Sequence, residues 1–471
     1  MPPQVALLLC IAFVFYQLRA DRPKTNVSWA LWIPTLWFLY SASRPLIYWL
    51  GAGTITEGNP LEDGSTVDRS FLTILILLGT AVLVSRPVKW DLFKREHAWL
   101  IALYVYAMLS AVWADITLYV SLKRFVKFVG GVLMALVIFS EAVPREALVT
   151  VFKRLVYILV PFSLVLIKYF PALGRAYTPH SGGTMWIGVT GTKNGFAGLC
   201  MISAFFLIWN YIVNRRERNP SRFKLESFTY LSILMMSLYM LRADGAYSAT
   251  ALVCLPVGLL TLLLLVRFRK RQLKGATGIF LVPLVLVFFV GTCLPFVGTS
   301  SMSSVAALLG RDGTMTGRSE IWASLTPHAL GNAFLGHGYG GFWSWEMLTQ
   351  GLLNEAHNGY LAVILELGFV GLCLLFALCV SYYRKLRLEL WQPGAFGWAA
   401  FGIGLLLMLV LHEITEAAFL VASDVIWMSL IFVCIGNSGV ETTASGAGGA
   451  VQSRTGSIST RPISQPHLVV P

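Results

Sequence analysis

Apolar runs of roughly 15 to 20 residues, separated by short polar loops, recur along nearly the whole chain. They place spans near 5–18, 29–43, 71–85, 98–113, 126–140, 150–167, 196–213, 228–241, 249–266, 278–297, 359–380, 395–411 and 418–436. The runs are continuous rather than alternating, which excludes the strands of a membrane barrel. The expected fold is therefore all-α, a polytopic membrane protein of about 12–13 transmembrane helices. One large loop should form a subdomain outside the membrane. The expected division is an N-terminal helix bundle over 1–297, a loop over 298–358, C-terminal helices over 359–436 and a tail over 437–471. The tail, beginning "GNSGVETTASGAGG", has no apolar period and reads as disordered and cytoplasmic.

Composition agrees with the pattern. Of 471 residues, 56% are hydrophobic and only 13% charged, so a soluble domain of this size is excluded. The net charge of +13 sits mostly in alternate short loops. "RADRPK", "RPVKWDLFKREH", "NRRERNPSRFK", "RFRKRQLK" and "YYRKLRLEL" mark the cytoplasmic side, and a nucleic-acid partner is not expected. The first run is preceded by "MPPQ" and followed by cations, the reverse of a signal peptide, so it reads as a retained span with its amino end outside. The seven cysteines lie within apolar runs without C-x-x-C spacing and read as small core residues. Lys123, Arg124 and Lys127 fall on the outer side, against the pattern, either snorkelling to headgroups or attracting an anionic lipid.

Four polar clusters at outer helix ends are not required by membrane insertion. In "GVTGTKNGFAG", Lys193 and Asn194 open a span, where a helix N-terminus favours an anion; Arg175 upstream could join them. The alternative is an Asn cap beside a snorkelling Lys. In "YMLRADGAYSAT", Arg242 and Asp244 are either a local pair or an arginine fork for phosphate. In "GRDGTMTGRSEIW", Thr316 to Ser319 offer caps for a helix whose first turn holds Arg318, the wrong sign for the helix dipole. The Gly-rich "GHGYGGFW" follows, with Tyr339, Phe342 and Trp343 as sugar-site or interface aromatics. The last cluster, "EAHNGYL", holds Glu355, His357 and Asn358, a proton acceptor or a helix cap. Glu413 and Glu416 in "LHEITEA" could orient a base or an arginine. No D-x-D pair, G-x-S-x-G or metal-spaced His/Glu motif is present, which disfavours metal and serine hydrolases.

In this order the motifs resemble the O-antigen ligase and polysaccharide polymerase superfamily, closest to its exopolysaccharide-polymerase branch. His357-Asn358, nine residues, then Gly368-x-x-Gly371 fits that family's pattern. The resemblance implies a glycosyltransferase of the inner membrane with its site facing the periplasm. It implies inverting transfer of a glycan from undecaprenyl diphosphate to an acceptor hydroxyl, with no cofactor and no metal. His357, Arg318 and Arg242 match the family's catalytic positions. Lys193, Asn194, Arg175, Tyr339, Asn358 and Glu416 are the candidates for holding diphosphate or substrate. Implied partners are the undecaprenyl-diphosphate-linked oligosaccharide, an acceptor glycan or lipid A-core, membrane lipids and a chain-length regulator. Polymerase and ligase share these motifs. A transporter or flippase of the same lipid-linked glycan is the alternative from another class, and it predicts charges near the bilayer midplane instead.

Overall fold

A computed structural model describes residues 1–20, 27–51, 65–88, 90–177, 183–214, 220–242, 248–297, 317–344 and 355–436. It is an all-helical bundle. The helices are α1 (Pro3–Ala20), α2 (Trp32–Ser41), α3 (Leu46–Trp49), α4 (Thr66–Ser85), α5 (Trp90–Glu96), α6 (Ala98–Ser110), α7 (Leu118–Phe139), α8 (Pro144–Tyr169) and α9 (Pro171–Gly174). There follow α10 (Lys193–Asn214), α11 (Pro220–Arg242), α12 (Ala249–Lys270), α13 (Leu281–Cys293), α14 (Arg318–Gly331), α15 (Gly359–Glu389), α16 (Phe396–His412) and α17 (Val425–Gly436). Among the described residues the only sheet is one antiparallel ladder, β1 (Arg175–Tyr177) with β2 (Thr184–Trp186).

Every predicted span coincides with a helix, and among the described residues six helices are long and apolar enough to cross a membrane. The largest departure is the last span. Its predicted first turns, from Ala418, are a folded loop, and α17 starts only at Val425. Asp424 stops the helix from extending backwards: its Oδ1 accepts the N–H groups of Ile426 (2.7 Å) and Trp427 (3.1 Å) and so caps α17. Ala418, Phe419 and Leu420, the apolar start of the predicted span, are buried inside the protein. The tail from 437, Thr316, Asp244 and the parts 298–316 and 345–354 of the predicted loop lie outside the described residues.

The core sits where α8, α10, α16 and α17 meet. Phe152, Phe205, Phe206, Trp209 and Phe401 are fully or almost fully buried and stack edge-on and face-on around one another. Such pairs add roughly 0.5–1.5 kcal/mol each beyond burial. The seven cysteines are free; Cys373 is exposed and Cys293 half-buried, so not all of them are core residues.

The helix α15 is broken at Gly368 (φ 62°, ψ −168°), a conformation open to glycine alone. The chain after α14 inserts into the break. The His337 N–H donates to the Leu365 carbonyl, and the N–H groups of Phe369 and Val370 donate to the carbonyls of Ala333 and Phe334 (2.8, 2.8 and 3.3 Å). Gly336 (φ 71°) packs backbone to backbone against Gly368, with no room for a Cβ on either residue. The break thus exchanges helix hydrogen bonds for inter-segment ones, as buried backbone requires. It also ties α14, which begins with Arg318, to α15, which begins just after His357.

Candidate active site

The site is assembled at one end of the bundle from four chain segments. Arg318 opens α14 behind Gly317, a left-handed cap residue (φ 84°). One turn on, the buried Trp322 donates its indole N–H to the Ala356 carbonyl at 2.9 Å, which hangs the segment before α15 on α14. Asn358, fully buried, caps α15: its Oδ1 accepts the Leu361 N–H at 2.7 Å, and its amide donates to the carbonyls of Gly291 (3.1 Å) and Ile414 (3.0 Å). His357 is held between these two anchors at φ 47°. Positive φ is uncommon for a residue with a side chain and persists only where the surroundings enforce it.

The third segment is the loop between α16 and α17, and the fourth is the start of α10, which carries Asn194. Buried Glu413 folds it by accepting the N–H groups of Ala418 and Phe419, both at 2.8 Å. The Gly359 N–H on the Glu413 carbonyl (2.8 Å) and the Thr415–Thr250 hydroxyl contact (2.6 Å) fasten it to α15 and α12. The loop delivers Glu416 to the centre. Glu416 Oε1 accepts from Arg318 Nη2 at 2.6 Å, and Oε2 accepts from Asn194 Nδ2 at 2.7 Å. His357 Nδ1 stands 3.6 Å from Glu416 Oε2 and 3.7 Å from Glu355 Oε1, both too long for hydrogen bonds.

The charges act on one another. Burial alone would raise the Glu416 carboxyl; His357, Arg318 and His412 together hold it below the ordinary carboxylate range. The facing Glu416 carboxylate, aided by Glu355, raises the His357 imidazole above its ordinary value, against burial and Arg318. Glu416 therefore stays ionised. The site pairs a basic imidazole with a neutralised arginine next to the first turn of α10, where half-buried Lys193 adds a further cation.

Glu355, His357 and Glu416 bring one ligand atom each within 4.8 Å of one another, a three-residue cluster that sequence spacing did not reveal. The donor set fits a divalent cation poorly. Both Glu416 oxygens already accept hydrogen bonds, one from the Arg318 guanidinium and one from the Asn194 amide, and both donors compete with a cation.

Arg318, His357, Asn358, Asn194 and Glu416 are thus brought together, with Lys193 alongside. Glu416, expected among the groups open to substrate, is engaged by protein donors instead. Arg175 is engaged elsewhere, donating Nε–H to the Ile167 carbonyl at 2.8 Å. Arg242 is exposed at the end of α11 and forms no hydrogen bond or ion pair with this cluster among the described residues. Tyr339 is a core residue: it stacks on Phe128 with ring centroids 4.8 Å apart and donates its hydroxyl to the Leu420 carbonyl, so it is closed to a sugar. Phe342 is likewise buried. The outer cations have protein partners. Arg124 donates to the carbonyls of Gly340 and Trp343, while Lys123 and Lys127 lie over Tyr119 and Tyr40.

Residues 234–376 match the O-antigen ligase family model, Wzy_C, and this segment supports a relation to the O-antigen ligase and polysaccharide polymerase superfamily. No curated protein matches the chain. The matched segment carries Arg242, Arg318, His357, Asn358, Gly368 and Gly371; Asn194 and Glu416 lie outside it. The match supports a ligase- or polymerase-type function, and the long apolar helices fit a membrane protein.

Proposed function

We propose that this membrane protein of the O-antigen ligase and polysaccharide polymerase superfamily transfers a glycan from undecaprenyl diphosphate to an acceptor hydroxyl at the periplasmic face of the bacterial inner membrane. The observation that carries the reading is the meeting of Arg318, Glu416 and His357 from three distant segments at one end of the bundle. His357 is the general base. It takes the acceptor proton on Nε2 as the acceptor oxygen bonds to the anomeric carbon. The bond from that carbon to the diphosphate oxygen breaks, and the electron pair leaves with the diphosphate. Arg318 and Lys193 receive the growing negative charge, with exposed Arg242 as a further cation near the membrane surface. Base and cations act on opposite sides of the sugar, so the anomeric centre inverts.

The transfer runs without a metal, because Arg318 supplies at Glu416 the positive charge that an ion would bring. Chelation with EDTA should leave the turnover of the purified protein unchanged; loss of activity restored by a divalent cation would reverse this point.

The acceptor is a second lipid-linked repeat unit, which makes the protein a polymerase. The O-antigen ligase description of the matched family supports a second reading, transfer to lipid A-core. Purified protein in nanodiscs with lipid-linked repeat units separates them. A product ladder without core acceptor is the expected result. Product only with core means a ligase, and no product in either case defeats the transferase reading.

A further inference from the structure

Glu416 is the one carboxylate of the site whose two oxygens face three different partners. Arg318 holds Oε1 at 2.6 Å, Asn194 holds Oε2 at 2.7 Å, and His357 Nδ1 waits 3.6 Å from Oε2. The histidine backbone has little freedom, being pinned by the Trp322–Ala356 bond on one side and the Asn358 cap on the other. Its Nδ1 is buried and makes no hydrogen bond. The base of a proton-transfer step needs a partner on the nitrogen away from substrate, to fix the ring and carry the charge it gains. Here that partner is present but committed to the arginine.

A diphosphate arriving at Arg318 competes for the same guanidinium and brings negative charge beside the Glu416 carboxylate. Two anions on one cation repel each other. Asn194 is neutral and keeps its hold on Oε2, so the carboxylate pivots there rather than leaving. Closing the gap to His357 from 3.6 Å to a charge-assisted bond of about 2.8 Å needs under about 1 Å of movement.

We propose that donor diphosphate displaces Glu416 from Arg318, and that the released carboxylate turns to His357 Nδ1, so that the base is oriented only once the donor is bound. Glu416 is then a positioning residue, not one that touches substrate. This rests on the proposed roles of Arg318 and His357. During transfer the acceptor proton ends on His357 Nε2, Nδ1–H is held by Glu416, and the leaving diphosphate is held by Arg318.

The exchange has a signature that a purely structural carboxylate lacks, because Glu416 opposes donor binding while assisting turnover. Undecaprenyl diphosphate itself is the binding probe, measured on the full chain in nanodiscs. Glu416→Gln should bind it more tightly, on the order of tenfold, because the competitor for Arg318 is gone. The same variant should lose turnover by on the order of a hundredfold or more. Arg318→Gln should bind the probe more weakly, on the order of tenfold. Unchanged or weaker binding by Glu416→Gln, with weakened binding by Arg318→Gln, overturns the exchange and leaves the transferase reading standing. Unchanged binding by Arg318→Gln overturns the diphosphate role itself and the exchange with it. Should Glu416→Gln fail to insert, Glu416→Asp carries the test, since its shorter side chain loosens the Arg318 bond while keeping the charge. Tighter probe binding with reduced turnover supports the exchange there too, and unchanged or weaker binding overturns it.

Discussion

Among the described residues the bundle holds two buried arginine–glutamate pairs at opposite ends, and they differ in what is left open. Arg86 and Glu141 pair at 2.8 Å where α4 and α7 end, with the Glu141 side chain 2% exposed. Ser28 donates both its N–H (2.9 Å) and its hydroxyl (2.6 Å) to that carboxylate, and Arg86 also reaches the hydroxyls of Ser28 and Ser140. Among the described residues no histidine bonds to this carboxylate, and no residue between Ser28 and Leu31 or at Glu141 has positive φ. At the other end Arg318 and Glu416 pair at 2.6 Å, with Glu416 5% exposed, so burial and distance are nearly the same. There, however, a histidine on a left-handed backbone stands just beyond bonding distance. A buried ion pair is therefore weak evidence of function by itself, since desolvation offsets much of its attraction. The adjoining histidine and its positive φ are what distinguish the second pair, the one in the proposed active site.

This contrast can be broken by experiment. The largest expected effect is at His357. His357→Ala should lower turnover by about 10²–10⁴-fold while detergent melting and membrane insertion stay close to wild type; near-normal product would remove the base from the scheme. Arg86→Ala should do the reverse. Leaving Glu141 buried without its partner costs about 3–5 kcal/mol, seen as a lower melting temperature, with turnover per folded molecule retained. A selective loss of turnover there would erase the distinction between the two ends. Gly368→Ala should cost about 1–3 kcal/mol in backbone strain alone, and more from the collision with the Phe334 carbonyl. Because the break ties α14 to α15, turnover should fall along with stability.

The smallest effect is in the pH profile. A base must be neutral to act, and His357 is raised by Glu416, so activity should fall with acidification at a pH above the ordinary histidine range. Glu416→Gln should move that limb to lower pH, and Glu141→Gln should leave it in place. An acid limb that Glu416→Gln does not move would separate the limb from His357.

Much of this was legible along the chain. Apolar run length located a helix at each of the thirteen predicted spans, though not α3, α5, α9 or α14, and the His-Asn-nine-Gly-x-x-Gly spacing singled out His357, Asn358 and Gly368 together. The two open readings of "EAHN" divide between neighbours: Asn358 makes the cap, while the His357 ring points at carboxylates. The glycine spacing has a backbone cause, the break that receives residues 333–337. Tyr339 misled because an aromatic in a Gly-rich turn looks the same in sequence whether it faces solvent or, as here, Phe128. Ala418 to Leu420 misled because burial in protein and burial in lipid select the same apolar side chains.

The sequence by itself determined the helical bundle and its membrane environment, because lipid offers backbone N–H and C=O groups no partners outside their own helix. Only the tertiary structure decided which charges meet. Glu416 lies 98 residues from Arg318 and 222 from Asn194, in a loop with no periodicity of its own. A carboxylate is drawn into such a place by partners on other helices, and that attraction exists only once those helices have packed.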